Sequence, residues 1–173
     1  MSGRLPPQRH AVRPTAAAAG TTHPRQPFDD LDLKLLRSLL VDSRTSARGI
    51  ASELGVSTST VTARIERLKR SQVLRGFTAT VDYQKLGYEL TVITEIIVSK
   101  GKLVEMEREI AKVPGVLAVY DVTGEIDAIV ISKCKDREGL SRFTKGLLAM
   151  PFVERTNSHI VLTTVKEDFR VPI

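Results

Sequence analysis

Residues 126–131 read IDAIVI. In a strand, where side chains alternate between faces, Ile126, Ala128 and Val130 fall on one side and Ile129 and Ile131 on the other. A strand apolar on both sides belongs to a sheet that is covered on both sides. The surrounding pattern says what is available to cover it. A strand is predicted over 90–99 (LTVITEIIVS) and a helix over 102–113, buried through Leu103, Met106 and Ile110. Strands over 116–123 and 126–134 follow, joined by a turn containing Gly124. A helix over 137–149 buries Leu140, Phe143 and Leu147, and a last strand runs through HIVLTTVK. The order β-α-β-β-α-β is that of a ferredoxin-like domain. Its two helices cover one face of the sheet, and a second copy of the chain is the economical cover for the other.

Upstream the period changes. Asp30 is placed to cap a helix with Leu33, Leu36 and Leu40 recurring along one side. A short second helix carries Ile50, Ala51 and Leu54, and Gly55 ends it in a turn that suits a left-handed residue. Val56 plugs the turn, and Ser57 or Ser59 caps a third helix with Val61, Ile65 and Leu68 on one stripe. Short helices joined by a tight glycine turn match a helix-turn-helix. The β-branched and aromatic stretch QVLRGFTATVDY predicts a strand around Val73–Val81 with no neighbour to pair with. Its nearest supply of a partner is the same strand of a second copy.

Charge is distributed unevenly. Residues 43–81 hold Arg44, Arg48, Arg64, Arg67, Lys69, Arg70 and Arg75 against Glu53 and Glu66, whereas residues 82–173 are close to balanced. A localised basic segment is the footprint of a polyanion partner. In a helix-turn-helix the second helix enters the major groove. With Val61, Ile65 and Leu68 turned inward, Thr58, Ser59, Thr60, Thr62 and Arg64 are the expected base-facing group. Arg44, Arg67, Lys69, Arg70 and Arg75 are the expected phosphate contacts. The stretch taken alone also fits a plain solvated helix, its Glu66 and Arg70 pairing one turn apart. The preceding helix, the turn and the concentrated charge favour double-stranded DNA.

The stretch ARGIASELGVSTSTVTARIERLKRSQVLRGFTATVDYQKLGY resembles the N-terminal half of the Lrp/AsnC (leucine-responsive/asparagine regulator, feast/famine) family. GVLAVYDVTGEIDAIV is similar to the effector-domain signature of the same family, and residues 153–167 resemble its final strand. The resemblance covers about residues 29–167. It implies an α+β chain: a winged-type helix-turn-helix domain joined by a β-strand to a ferredoxin-like βαββαβ domain. It also implies dimers that assemble further, often to octamers, and an amino-acid effector. The expected divisions are a disordered basic arm (1–27), the helix-turn-helix domain (28–72), a strand and linker (73–88), and the effector-binding and oligomerisation domain (89–173).

The family's ligand loop falls on Thr123, Gly124, Glu125, Ile126 and Asp127. Gly124 permits a turn whose backbone N–H groups face a carboxylate, and Glu125 or Asp127 suits an ammonium group. The same three residues TGE also make an ordinary hairpin turn with exposed acids. The chain departs from the family pattern at Ile126, where an aromatic residue is usual. Thr156 and Ser158 are further candidates for the pocket.

Other functions find little support. Cys134 is the one cysteine, so no internal disulfide framework forms, and a cytoplasmic setting with no cofactor is expected. The three histidines lack metal-ligand spacing, and no phosphate-binding glycine pattern occurs. No apolar run approaches the ~20 residues of a membrane helix. Two readings remain beside a sequence-specific regulator: an architectural protein that wraps DNA with little preference, and a small-molecule enzyme on the ferredoxin-like domain. The second lacks any paired acid and base.

Overall fold

The computed structural model describes residues 28–99 and 101–173. The arm expected over 1–27 lies outside the described residues. The chain divides into two units: the described residues as far as Ala79 together with Phe169–Ile173, and Thr80–Asp168.

The first unit is built on three helices, α1 (Asp30–Val41), α2 (Ala47–Leu54) and α3 (Thr58–Arg70). Each begins at a side-chain cap. Asp29 accepts the Asp32 N–H at 2.9 Å while the Asp32 carboxylate accepts the Asp29 N–H at 3.2 Å, a reciprocal capping box. Ser46 caps α2 and Ser57 caps α3. The α1 cap is therefore Asp29 rather than Asp30, and the buried stripe is Leu35 and Leu39; of the expected Leu33, Leu36 and Leu40, Leu36 packs partly buried against the same core. Leu40 is exposed. Leu35 and Leu39 pack with Ile50, Ala51, Val61 and Leu68 to form the core. Gly55 stands at φ 67°, ψ 33°, the left-handed turn its sequence position requires.

The unit also takes in the last five residues. The Arg170 guanidinium donates to the Leu40 carbonyl at 3.1 Å, and Arg37 Nε donates to the Ile173 carbonyl. Sequence places these residues with the second domain; the structure groups them with the first. The strand expected around Val73–Val81 has no ladder partner among the described residues, and residues 75–82 run without regular secondary structure. A strand needs a neighbour to hold its N–H and C=O groups, and the described residues offer none there.

The second unit is an antiparallel sheet ordered β2-β3-β1-β4, with β1 (Leu90–Val98), β2 (Val116–Asp121), β3 (Ala128–Cys134) and β4 (Val153–Ile160). Helices α4 (Leu103–Ile110) and α5 (Arg137–Leu148) complete the βαββαβ order. Met106 and Ile110 from α4 and Phe143 and Leu147 from α5 bury one face with Val92, Ile96, Ala128 and Val130. On the opposite face Ile93, Ile97, Ile129 and Ile131 are half-buried and Tyr120 is exposed. Within IDAIVI, Ala128 and Val130 are buried under the helices and Ile129 and Ile131 lie on the open face, while Ile126 precedes β3 and does not join Ala128 and Val130 as expected.

The last strand differs from expectation. It is VERTNSHI rather than HIVLTTVK, and Leu162 and Val165 lie exposed beyond it. An edge strand packs on one side only, so the polar segment can take the ladder. Gly115, at φ 91°, lets β2 approach β3 closely: a Cβ there would stand 2.7 Å from the Lys133 carbonyl oxygen. Among the described residues no helix is long and apolar enough to cross a membrane.

Candidate functional site

The surface of α3 follows from its anchors. Val61 and Leu68 are buried and Ile65 is half-buried. At 3.6 residues per turn the side opposite them carries Ser59, Thr62, Ala63, Glu66 and Arg70, all exposed. Thr58 and Lys69 are exposed on one flank, while Thr60, Arg64 and Arg67 lie on the other.

The hydroxyls at the start of the helix are partly occupied with one another. Ser57 Oγ accepts the Thr60 N–H at 3.1 Å and shares hydrogen bonds with the Ser59 and Thr60 hydroxyls. Thr62 Oγ1 donates back to the Thr58 carbonyl at 3.0 Å, leaving its oxygen lone pairs and methyl outward. Thr60 is half-buried, so Thr58, Ser59 and Thr62 are the accessible hydroxyls of the expected group. Ala63, which the pattern of hydroxyls concealed, adds a methyl to the same face. Counting positions from the buried stripe would have found it.

Arg64 is not free on this face. Its Nη1 lies 2.6 Å from both Asp29 carboxylate oxygens and 2.9 Å from Asp32 Oδ1, and its side chain is 24% exposed. Arg67 donates to Asp32 Oδ2. The Asp32 side chain is fully buried. Hydrogen bonding from Arg64 first, then from the Asp32 backbone, holds the Asp29 carboxyl below its ordinary range; Asp29 and then Asp32 raise Arg64 in turn. The other cations expected to contact phosphate are less engaged. Arg44 is exposed and pairs weakly with Asp42 at 3.3 Å, and Lys69 pairs with Glu66 at 3.0 Å. Arg48, Arg70 and Arg75 are exposed with no carboxylate partner among the described residues.

The second unit has an open cleft of about 150 Å³ lined by Glu95, Ile97, Glu125, Ile126, Arg155 and Asn157. It brings together part of the expected loop. Glu125 and Ile126 line it, while Thr123 and Gly124 are exposed outside the lining, Gly124 at φ 127°. The Asp127 carboxylate accepts the Val98 N–H at 2.7 Å, so it fastens the loop to β1. Thr156 and Ser158 are on the other side of the sheet: Thr156 pairs in register with the buried Ile96, and the Ser158 hydroxyl meets Thr94 Oγ1 at 3.0 Å. Their neighbours Arg155 and Asn157 take the cleft side because side chains alternate.

The cleft is polar at its rim and apolar along one wall. Asn157 donates to Glu95 at 3.1 Å, and His159 Nε2 lies 3.4 Å from the same carboxylate. Arg155 and Glu125 have no partner among the described residues. A guanidinium, two carboxylates and two isoleucines can together meet a carboxylate, an ammonium group and an aliphatic side chain. Cys134 lies on the helix side of the sheet, where burial pushes its thiol up, and His159 is on the other face. The two therefore do not pair. Among the described residues no cluster of His, Cys, Asp and Glu could hold a metal ion.

Comparison with known proteins covers both units. The AsnC-type helix-turn-helix domain matches residues 28–69, and the Lrp/AsnC ligand binding domain matches residues 91–171. An uncharacterized HTH-type transcriptional regulator of Pyrococcus abyssi is 50% identical over 144 residues, 83% of this chain and 98% of that protein. Among solved structures, Escherichia coli AsnC aligns with a TM-score of 0.76 at 23% identity, covering 82% of this chain and 97% of that one. A Neisseria meningitidis transcriptional regulator in complex with L-Met aligns with a TM-score of 0.77 at 23% identity, covering 84% and 97%.

Proposed function

The chain belongs to the Lrp/AsnC family of HTH-type transcriptional regulators, and from that premise we propose that it binds DNA sequence-specifically through α3 and is modulated by an amino acid held in the Glu95–Arg155 cleft. One observation carries the DNA half of the reading: the aliphatic stripe of α3 is spent on the core, which leaves Thr58, Ser59, Thr62 and Ala63 outward. Short hydroxyls and methyls suit base edges and thymine methyls at close approach. Arg44, Lys69, Arg70 and Arg75 supply phosphate contacts, and the N-terminus of α3 adds free N–H groups.

The effector half is supported by the cleft. Arg155 receives the ligand carboxylate, and Glu95 or Glu125 receives its ammonium group. The L-Met complex of the Neisseria regulator gives the ligand class a precedent on the same fold. Self-association completes the reading. The open face with Ile93, Ile97, Ile129 and Ile131 packs against a second copy, the extended 73–81 segments pair, and dimers assemble further, to octamers in the family pattern. The working compartment is the cytoplasm, where the DNA is.

The test is a thermal-shift panel of the twenty amino acids on the full chain, with a footprint on its own upstream region at physiological salt. A specific ligand raises the midpoint by mass action. The expected result is a shift with at least one amino acid, lost in Arg155→Ala, and a footprint in preference to random DNA. No shift with any amino acid would remove the effector; equal affinity for random DNA would replace sequence recognition with architectural wrapping.

A further inference from the structure

The sequence makes Arg64 the most attractive base reader of α3, since a guanidinium on a recognition helix can meet a guanine with two hydrogen bonds. The structure gives that guanidinium another occupation. We propose that Arg64 is a positioning residue: with Arg67 it closes a four-residue clasp on Asp29 and Asp32 that sets the rotation of α3, and base discrimination is left to Thr58, Ser59, Thr62 and Ala63. The proposal rests on the DNA-binding reading of α3 and deepens it.

The clasp is closed and charge-balanced. Asp29 Oδ1 accepts both the Asp32 N–H at 2.9 Å and Arg64 Nη1 at 2.6 Å, and Asp29 Oδ2 accepts Arg64 at 2.6 Å. Asp32 Oδ1 accepts Arg64 at 2.9 Å; Asp32 Oδ2 accepts the Asp29 N–H at 3.2 Å and Arg67. Two carboxylates meet two guanidiniums, and the same carboxylates cap α1. The Asp32 carboxylate is fully buried, so withdrawing either arginine toward DNA would remove one of the two cations that compensate its charge away from water. The partners are 32 to 35 residues apart, so the clasp ties the start of α1 to the middle of α3.

The geometry of the helix makes this consequential. Arg64 and Arg67 are one turn apart on a single flank, and Thr58 and Lys69 lie on the flank away from it. Aliphatic contacts at Val61, Ile65 and Leu68 hold the helix against the core but tolerate a roll about its axis. Fixed hydrogen bonds on one flank do not. A roll of α3 would move Thr62 and Ala63 off the base edges together.

The test compares wild type with Asp29→Asn, Arg64→Gln, Arg64→Lys and the Asp29→Asn/Arg64→Gln double variant, all as full chains at a temperature where circular dichroism shows each folded. Asparagine caps a helix as well as aspartate does, so Asp29→Asn removes charge while keeping the cap. Binding to a site selected from random DNA gives the affinity, the base preference at each position and the salt slope. We expect Asp29→Asn and Arg64→Gln each to weaken binding about three- to tenfold, and the double variant to be no weaker than the weaker single, as for one shared interaction. The salt slope stays that of wild type, base preference relaxes at several positions together and alike in Asp29→Asn and Arg64→Gln, and Arg64→Lys regains most of the affinity and the preference. Preference relaxed at a single base pair in Arg64→Gln alone would overturn the proposal in favour of base reading. A salt slope reduced by about one would overturn it in favour of phosphate contact. Losses that multiply in the double variant would also overturn it. A wild-type chain that selects no sequence overturns the DNA reading itself, a result distinct from these.

Discussion

Leu68→Ala isolates how much the first unit depends on its small core. Leu68 is fully buried among Leu35, Leu39, Ile50, Ala51 and Val61. Its carbonyl also receives the Val73 N–H at 3.1 Å and the Leu74 N–H at 3.0 Å, so the backbone around it is pinned and cannot readily close over a void. A buried Leu→Ala change costs about 2–5 kcal/mol, and a pinned site with few neighbours to relax puts the expectation at about 3 kcal/mol. Native-state amide hydrogen exchange reads this locally. With about 1.4 kcal/mol to each factor of ten, protection of the α2 and α3 amides should fall about 140-fold. The β1 and β3 amides belong to a different core and should keep their protection. An equal fall in the sheet would mean that one cooperative core spans the chain, and an α3 change below threefold would mean that Leu68 does not anchor the helix; either result refutes the reasoning.

Two further predictions concern backbone and charge. Gly115→Ala should lower the urea midpoint more than Gly55→Ala. Both incur about 1–2 kcal/mol for a side chain at positive φ, but at Gly115 the new Cβ also meets the Lys133 carbonyl oxygen at 2.7 Å, adding about 1–3 kcal/mol, whereas at Gly55 it meets nothing within 4 Å. Equal shifts would contradict that close approach. Asp29 has a folded-state pKa below its ordinary value of 3.8, so its contribution is complete above 3.8 and is lost as pH falls through the lower, folded value. The thermal midpoint of wild type should therefore exceed that of Asp29→Asn at pH 6 and converge on it below pH 3.8; a constant gap from pH 6 to 3 would contradict the sign.

The parts legible in the sequence were those fixed by local chemistry. IDAIVI demanded a sheet apolar on both faces, Gly55 demanded a left-handed turn, and the Val61–Ile65–Leu68 stripe demanded an inward face. The misread parts turned on phase or on distant partners. In DLDLKLLRSLLV leucines occur on several sides of the helix, and packing against Ile50, Ala51, Val61 and Leu68 decides that Leu35 and Leu39 go deepest. HIVLTTVK is the more strand-like segment by composition, yet the ladder to β1 takes VERTNSHI. That choice sets the side-chain parity of β4 and puts Arg155 and Asn157, not Thr156 and Ser158, at the cleft. Asp32 reads as a surface acid of a first helical turn. Its burial is explained by arginines more than thirty residues away, which no local window contains.

The separation of duties on α3 bears on how such a regulator can change over generations. Ser59, Thr62 and Ala63 point away from the core and the clasp, whereas Val61, Arg64 and Leu68 are committed to the fold. If α3 reads bases as proposed, substitutions at the first group would alter the preferred operator one base at a time with little loss of stability, so a duplicated gene could acquire a new target through viable intermediates. Substitutions at the second group would first have to be matched by partners in α1. The helix thus has a rewritable side and a fixed side, and operator preference is expected to drift faster than the scaffold that displays it.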